Sequence, residues 1–177
     1  MRAVVGLGNP GPEYAATRHN AGFLLADAVA EHWQFPPFRR AERARATEGT
    51  VGDISVRILK PTTFMNRSGA ALASLRAEPA FEAARDLLIL VDDFQIPLGT
   101  FRFRPDGSAG GHNGLKSIEG ALQSQQYARL RIGVGPLPEG TGDWADYVLA
   151  PFEPGELEQL TALLPRMIEE VEKWLKS

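Results

Sequence analysis

The run Asp86-Leu-Leu-Ile-Leu-Val91 narrows most sharply what this chain can become. Side chains of a strand point alternately to opposite faces, so an unbroken apolar run does not suit a sheet with one wet face. The run reads as a strand buried on both faces, the kind found where helices cover both sides of a sheet. A second short apolar run, Arg2 to Leu7, opens the chain and ends in a glycine turn.

Helical spacing of Phe23, Leu24, Ala28 and Trp33 predicts a helix over 21–33. Residues 43–60 read as two strands turning at 51–54 and stopped by Pro61. Further strands are predicted over 100–104 and 130–134, and helices over 64–76, 114–123 and 155–176, the last carrying Pro165. A loop is predicted over 137–143. Strands alternating with helices indicate the α/β class, with a twisted mixed β-sheet flanked by helices. At 177 residues, with no repeat and no linker-like stretch, one domain over 1–177 is expected.

The chain has no cysteine, which removes disulfides, thiolate nucleophiles and cysteine-bound zinc from consideration. Its three histidines, at 19, 32 and 112, are not spaced as a metal set, and no metal or cofactor is expected. The first apolar run is too short for a signal peptide, and no window reaches membrane-spanning length. A cytoplasmic protein with no membrane association is therefore expected, and it is taken to be a monomer. Net charge is −3, distributed unevenly: residues 1–60 hold 8 basic against 6 acidic side chains, residues 151–177 only 3 against 6. A local basic patch can still steer a polyanion, because the local field matters more than the total.

Gly6-Leu-Gly8-Asn-Pro-Gly11 matches the dinucleotide fingerprint G-x-G-x-x-G and follows a strand. The match fails on two counts. A helix must open among the glycines to turn its amides to a pyrophosphate, yet Pro10 and Pro12 stand there and helical periodicity starts only near Asn20. The acidic residue needed about 20 residues on should end a second strand, whereas Asp27 sits in a helical pattern. What remains is a tight turn that leaves Asn9 at the end of a strand, where open α/β sheets hold ligands.

Several polar side chains share such positions: Asn9, then His19 and Asn20 in TRHN, Asn66 in TFMNRSG, Asp92 after the buried strand, and His112 and Asn113 in GGHNG. A lone histidine is more often a cap or an exposed loop residue than a base. A carboxylate such as Asp92 can orient an imidazole for work on water, though spacing alone does not bring it to His19. Asn66 could be a polar spot on a helix and Asn113 a helix cap; together the asparagines would offer neutral donors to a developing oxyanion. Arg102, Arg104, Lys116, Arg129 and Arg131 flank the glycine-rich loop, as a solvated strand face or as phosphate contacts.

Five segments in series, VGLGNPGPEYAATRHNAGF, KPTTFMNRSG, LILVDDFQIPLG, GSAGGHNGLKSI and RLRIGVG, closely resemble the bacterial peptidyl-tRNA hydrolase family. The resemblance implies a metal-independent hydrolase that cleaves the ester between a peptide and the 3′ end of tRNA, with peptidyl-tRNA as its partner. It implies His19 as the general base, Asp92 as its support, and Asn9 as the residue that tells blocked from unblocked aminoacyl-tRNA. Asn66 and Asn113 would hold the substrate, Tyr14 and Phe64 would line the tRNA-end site, and Asn20, Met65 and His112 would lie along the cleft. Arg18 is left open, either a substrate contact or half of an ion pair. The competing readings are a non-catalytic RNA-binding relative and, on the glycine motif alone, a nucleotide-dependent oxidoreductase.

Overall fold

The computed structural model describes residues 1–140 and 142–177. Among these, one sheet is built from β1 (Arg2–Gly6), β2 (Arg39–Ala41), β3 (Ala44–Val51), β4 (Ile54–Pro61), β5 (Leu87–Pro97), β6 (Phe101–Arg104) and β7 (Ala128–Gly135). The helices are α1 (Ala21–His32), α2 (Ala73–Arg76), α3 (Ala83–Asp86), α4 (Asn113–Leu122), α5 (Trp144–Val148) and α6 (Pro154–Leu175). The strand order is β2-β3-β4-β1-β5-β7-β6. β1 runs parallel to both its neighbours and β5 parallel to β7, while β2, β3 and β6 are antiparallel additions at the edges. The sheet is therefore mixed, as the sequence leads one to expect.

The apolar run of β5 feeds two cores at once. Leu88 and Leu90 join Val4 of β1 beneath α1 and α6. Leu87, Ile89 and Val91 join Ala3 and Val5 beneath α4 and α2. All eight are at most 1% exposed. At about 25 cal/mol per Å² of apolar surface, each such side chain contributes about 1.5–3 kcal/mol towards folding, except the smaller alanine.

Glycine sets how close α1 can come. A Cβ on Gly22 would lie 2.4 Å from the Leu90 carbonyl oxygen and 2.6 Å from that of Leu7, and one on Gly6 would meet the Gly22 carbonyl oxygen at 2.4 Å. The first turn of α1 thus rests directly on the backbone of β1 and β5. Gly6, which the dinucleotide motif would use for its tight turn, serves helix–strand approach instead.

Some elements differ from expectation. The helix expected over 64–76 is mostly a 3₁₀ turn over Met65–Leu72, with α-helix only in α2. Phe64 has φ +65°, outside any helix, and Gly69 is pressed against α4, its N–H donating to Ser117 Oγ at 2.9 Å. β5 continues past Val91, so Asp92 and Asp93 lie inside the strand, still in register with β7. α6 runs through Pro165, which lies on its exposed side. The edge strand β2 and the short helices α3 and α5 are additional, and the loop expected over 137–143 includes residue 141, outside the described residues. No helix is long and apolar enough to cross a membrane, among the described residues.

Candidate active site

Three parallel strands, β4, β1 and β5, end on one side of the sheet, and α1 and α4 begin there. A 3₁₀ turn over Arg18–Asn20 leads into α1 and carries His19, which is buried. Its Nδ1 lies 2.8 Å from Oδ2 of Asp92. The other carboxylate oxygen, Oδ1, lies 2.8 Å from Nε2 of His112. The sequence separates these three residues widely; the fold closes them into one chain, with the two imidazole centroids 5.0 Å apart.

The tautomers follow from the partners. His112 is the N-cap of α4, and its Nδ1 accepts from the backbone N–H of Gly114 at 3.0 Å and of Leu115 at 3.3 Å. Its proton is therefore on Nε2, donated to Asp92. Asp92, an acceptor on both oxygens, takes the Nδ1 proton of His19 as well. That leaves Nε2 of His19 with a free lone pair. Burial by itself would push the Asp92 carboxyl up, but the charge and hydrogen bonds of the two imidazoles outweigh it and hold the group well below the usual carboxylate range.

His19, Asp92 and His112 are also the cluster with metal-ligand proximity among the described residues. The donor set does not suit a cation. A metal on this side of His112 would need Nε2 stripped of its proton, and Nδ1 would then have to carry one into the two backbone N–H groups it now accepts.

Asn9 and Asn20 form a clasp. The Asn9 backbone N–H donates to Oδ1 of Asn20 at 2.8 Å, and Nδ2 of Asn20 returns to the Asn9 carbonyl at 2.9 Å. Asn20 is thus buried and spent on fixing the β1 loop to α1. Oδ1 of Asn9 accepts from the Met65 N–H at 2.7 Å, which ties β1 to the end of β4. The amide orientation is set by that bond, so Nδ2 of Asn9 remains as a donor.

A cleft of about 220 Å³ is lined by His19, Asn9, Asn66, Asn113, Phe64 and Met65. Phe64 is 50% exposed and held at positive φ, a strained position for an aromatic residue, with Tyr14 edge-on at 6.3 Å. His112 sits behind the cleft, against Asp92. The opposite wall is α5, through Trp144, Ala145 and Val148. Sequence reasoning missed this wall. The signal was present in WADYV, whose Trp144 stacks on Phe94 and whose Tyr147 lies under the Arg18 guanidinium.

The basic residues divide. Arg102, Arg104 and Lys116 are exposed. Arg131 is partly buried and pairs with Asp93 at 3.5 Å. Arg129 does not fit the expectation of a phosphate contact: it is fully buried, with its guanidinium donating to the carbonyls of Ser108, Gln125 and Tyr127. It pins the glycine-rich loop to β7. Arg18 also proves structural, bonding to Glu156 at 2.6 Å and to the Tyr147 carbonyl.

Comparison with known proteins points to one family. The family described as peptidyl-tRNA hydrolase matches residues 3–177. The peptidyl-tRNA hydrolase of Gemmatimonas aurantiaca is 46% identical, over 99% of this chain and 93% of its own length. That of Chloroflexus aggregans is 43% identical, over 97% and 91%. Among solved structures, the peptidyl-tRNA hydrolase of Acinetobacter baumannii superimposes with a TM-score of 0.90 at 30% identity, covering 99% of this chain and 89% of that one.

Proposed function

Since the chain belongs to the peptidyl-tRNA hydrolase family and hydrolyses the ester of peptidyl-tRNA, we propose that His19, oriented by Asp92, is the general base that activates the attacking water. The observation that carries this reading is the 2.8 Å bond between Nδ1 of His19 and Asp92, which leaves Nε2 as the acceptor. Nε2 takes the water proton as the oxygen attacks the ester carbonyl. Asp92 stabilises the imidazolium that forms, and the departing 3′ oxygen of the ribose then takes the proton back. In this reading the amides of Asn66 and Asn113, which line the cleft, donate to the substrate around the reacting carbonyl without adding charge.

Asn9 supplies the selectivity in this reading. Its free Nδ2 is a donor, suited to the carbonyl of a peptide or of an N-blocked amino acid. An unblocked aminoacyl-tRNA presents an ammonium, which would set donors against a donor and lose its water in doing so. The exposed Arg102, Arg104 and Lys116, with Arg131, are the candidates for tRNA phosphates. Tyr14 and Phe64 offer rings against which the 3′-terminal base can stack.

Single-turnover release of tRNA from an N-blocked aminoacyl-tRNA, run beside the unblocked form, tests the base directly. Wild type is expected to cleave only the blocked substrate, and His19→Ala to lose roughly 10²–10⁴ in rate. Cleavage that survives the substitution would discard the base. Phe64→Ala is expected to raise KM about fivefold to a hundredfold, the worth of one stacked base, with kcat and melting temperature little changed. A fall in kcat at constant KM would move Phe64 out of the binding role.

A further inference from the structure

The outer strands carry a row of cations that the reaction does not use. Arg40 of β2 stands directly opposite Arg45 of β3, and Arg45 directly opposite Lys60 of β4. Like charges facing each other across a sheet are destabilising, so such a row calls for a compensating anion. Lys60 is answered by Asp27 of α1 at 2.5 Å. Arg45 donates to the Phe38 carbonyl at 3.0 Å, and among the described residues neither it nor Arg40 has a carboxylate partner.

This row ends in a hollow of about 250 Å³ between α1 and the end of β4. Its lining is mixed, with Pro10, Phe23 and Leu24 as apolar surface and Asp27, Arg45 and Lys60 as charged wall. Asp27 is taken up by Lys60, which leaves Arg45 as the cation there without a carboxylate partner among the described residues. Asn9 belongs to both this hollow and the catalytic cleft. The Asn9 side chain is held there by accepting from the Met65 N–H.

We propose that this hollow is a subsite for the peptide residues upstream of the one esterified to tRNA, and that its cation row favours acidic side chains there. The proposal rests on the reading above that Asn9 faces the peptide side of the ester. Sheet order supports the assignment. The exposed Arg102 and Arg104 lie on β6, at one edge, whereas the cation row lies on β2, β3 and β4, towards the other. The ester at His19 falls between them, so tRNA and peptide would leave in opposite directions. The apolar part of its lining, Pro10, Phe23 and Leu24, also suits side chains better than a phosphate backbone.

The test uses three substrates on one tRNA: N-acetyl-Phe, N-acetyl-Asp-Asp-Asp-Phe and N-acetyl-Lys-Lys-Lys-Phe esters. Wild type should favour the acidic over the basic peptide by roughly threefold to tenfold in kcat/KM at low ionic strength, and less as salt rises. Arg45→Glu should abolish or reverse that preference and leave N-acetyl-Phe-tRNA unaffected. Its melting temperature should match or exceed wild type, because a repulsive row is relieved; Arg45→Gln serves if the charge reversal perturbs folding. Equal wild-type rates on the two peptides would overturn the proposal. So would a uniform loss on all three substrates with a weaker salt dependence, which would assign the row to the tRNA backbone. The underlying reading is checked separately, since Asn9→Ala should erode discrimination between N-acetyl-Phe-tRNA and Phe-tRNA, neither of which has upstream residues.

Discussion

Asp92→Asn should reduce turnover by about three to four orders of magnitude while leaving the fold and substrate binding in place, the loss seen when an analogous buried carboxylate becomes an amide in a catalytic triad. The reason lies in His112. The α4 cap fixes the His112 proton on Nε2, so the carbonyl oxygen of the new amide must turn towards it. The amide nitrogen then faces Nδ1 of His19, which has to become the acceptor. The His19 proton moves to Nε2, and the atom that should receive a proton from water already holds one. Single-turnover kinetics with an unchanged Kd for substrate would show this; unchanged turnover would remove Asp92 from the mechanism.

The same substitution has a stability signature whose sign can be worked out. The folded-state value of Asp92 is depressed, so the fold binds the ionised carboxylate more favourably than the unfolded chain does. That contribution is complete above the ordinary carboxylate value and is lost as pH falls through the depressed one. The Asn variant should therefore melt below wild type at neutral pH, and the gap should close in strong acid. A gap that persists or widens there would contradict the linkage.

Gly22→Ala is the second large effect. The new methyl would meet three backbone atoms, the Leu90 and Leu7 carbonyl oxygens and the Leu7 nitrogen, all within 2.7 Å. Backbone in the centre of a sheet cannot yield as a side chain can, so α1 must lift. Overpacking of this kind costs about 1–3 kcal/mol, which for a chain of this size lowers Tm by roughly 2–12 °C. Lifting α1 also draws His19 away from Asp92, and a displacement near 1 Å costs about 10²-fold in rate. Thermal melts and single-turnover rates should fall together. A stable but inactive variant would locate the effect in the site alone.

The fold was legible where burial is two-sided. An unbroken run such as Leu87–Val91 has few alternatives, and the alternation of Ile54, Val56 and Ile58 sets out β4 almost to the residue. The segment after Thr63 was not, because its alanine-rich composition favours a helix while the close approach of Gly69 to α4 and the positive φ of Phe64 impose a tighter turn. Tertiary packing outweighed propensity there. In the site, residue types and positions identified His19, Asp92 and the asparagines as candidates, but no spacing rule tells that residues 73 apart share a hydrogen bond. Arg129 shows the opposite limit. An arginine beside a glycine-rich loop reads as an anion contact, and only its burial reveals that it serves the loop's own carbonyls.

The pairing of β1 with β5 has a kinetic meaning. It is a parallel, non-local contact, with the outer hairpin and β4 lying between its two strands in sequence. Closing so long a loop is entropically costly and slow compared with forming local turns and hairpins. His19 rides on the chain leaving β1, and Asp92 on β5 itself. A refolding chain can thus hold most of its hairpins and helical turns and still have no base. Esterase activity will return with the step that seats the central strands, which makes the reaction itself a clock for the slowest long-range event in the assembly of the sheet.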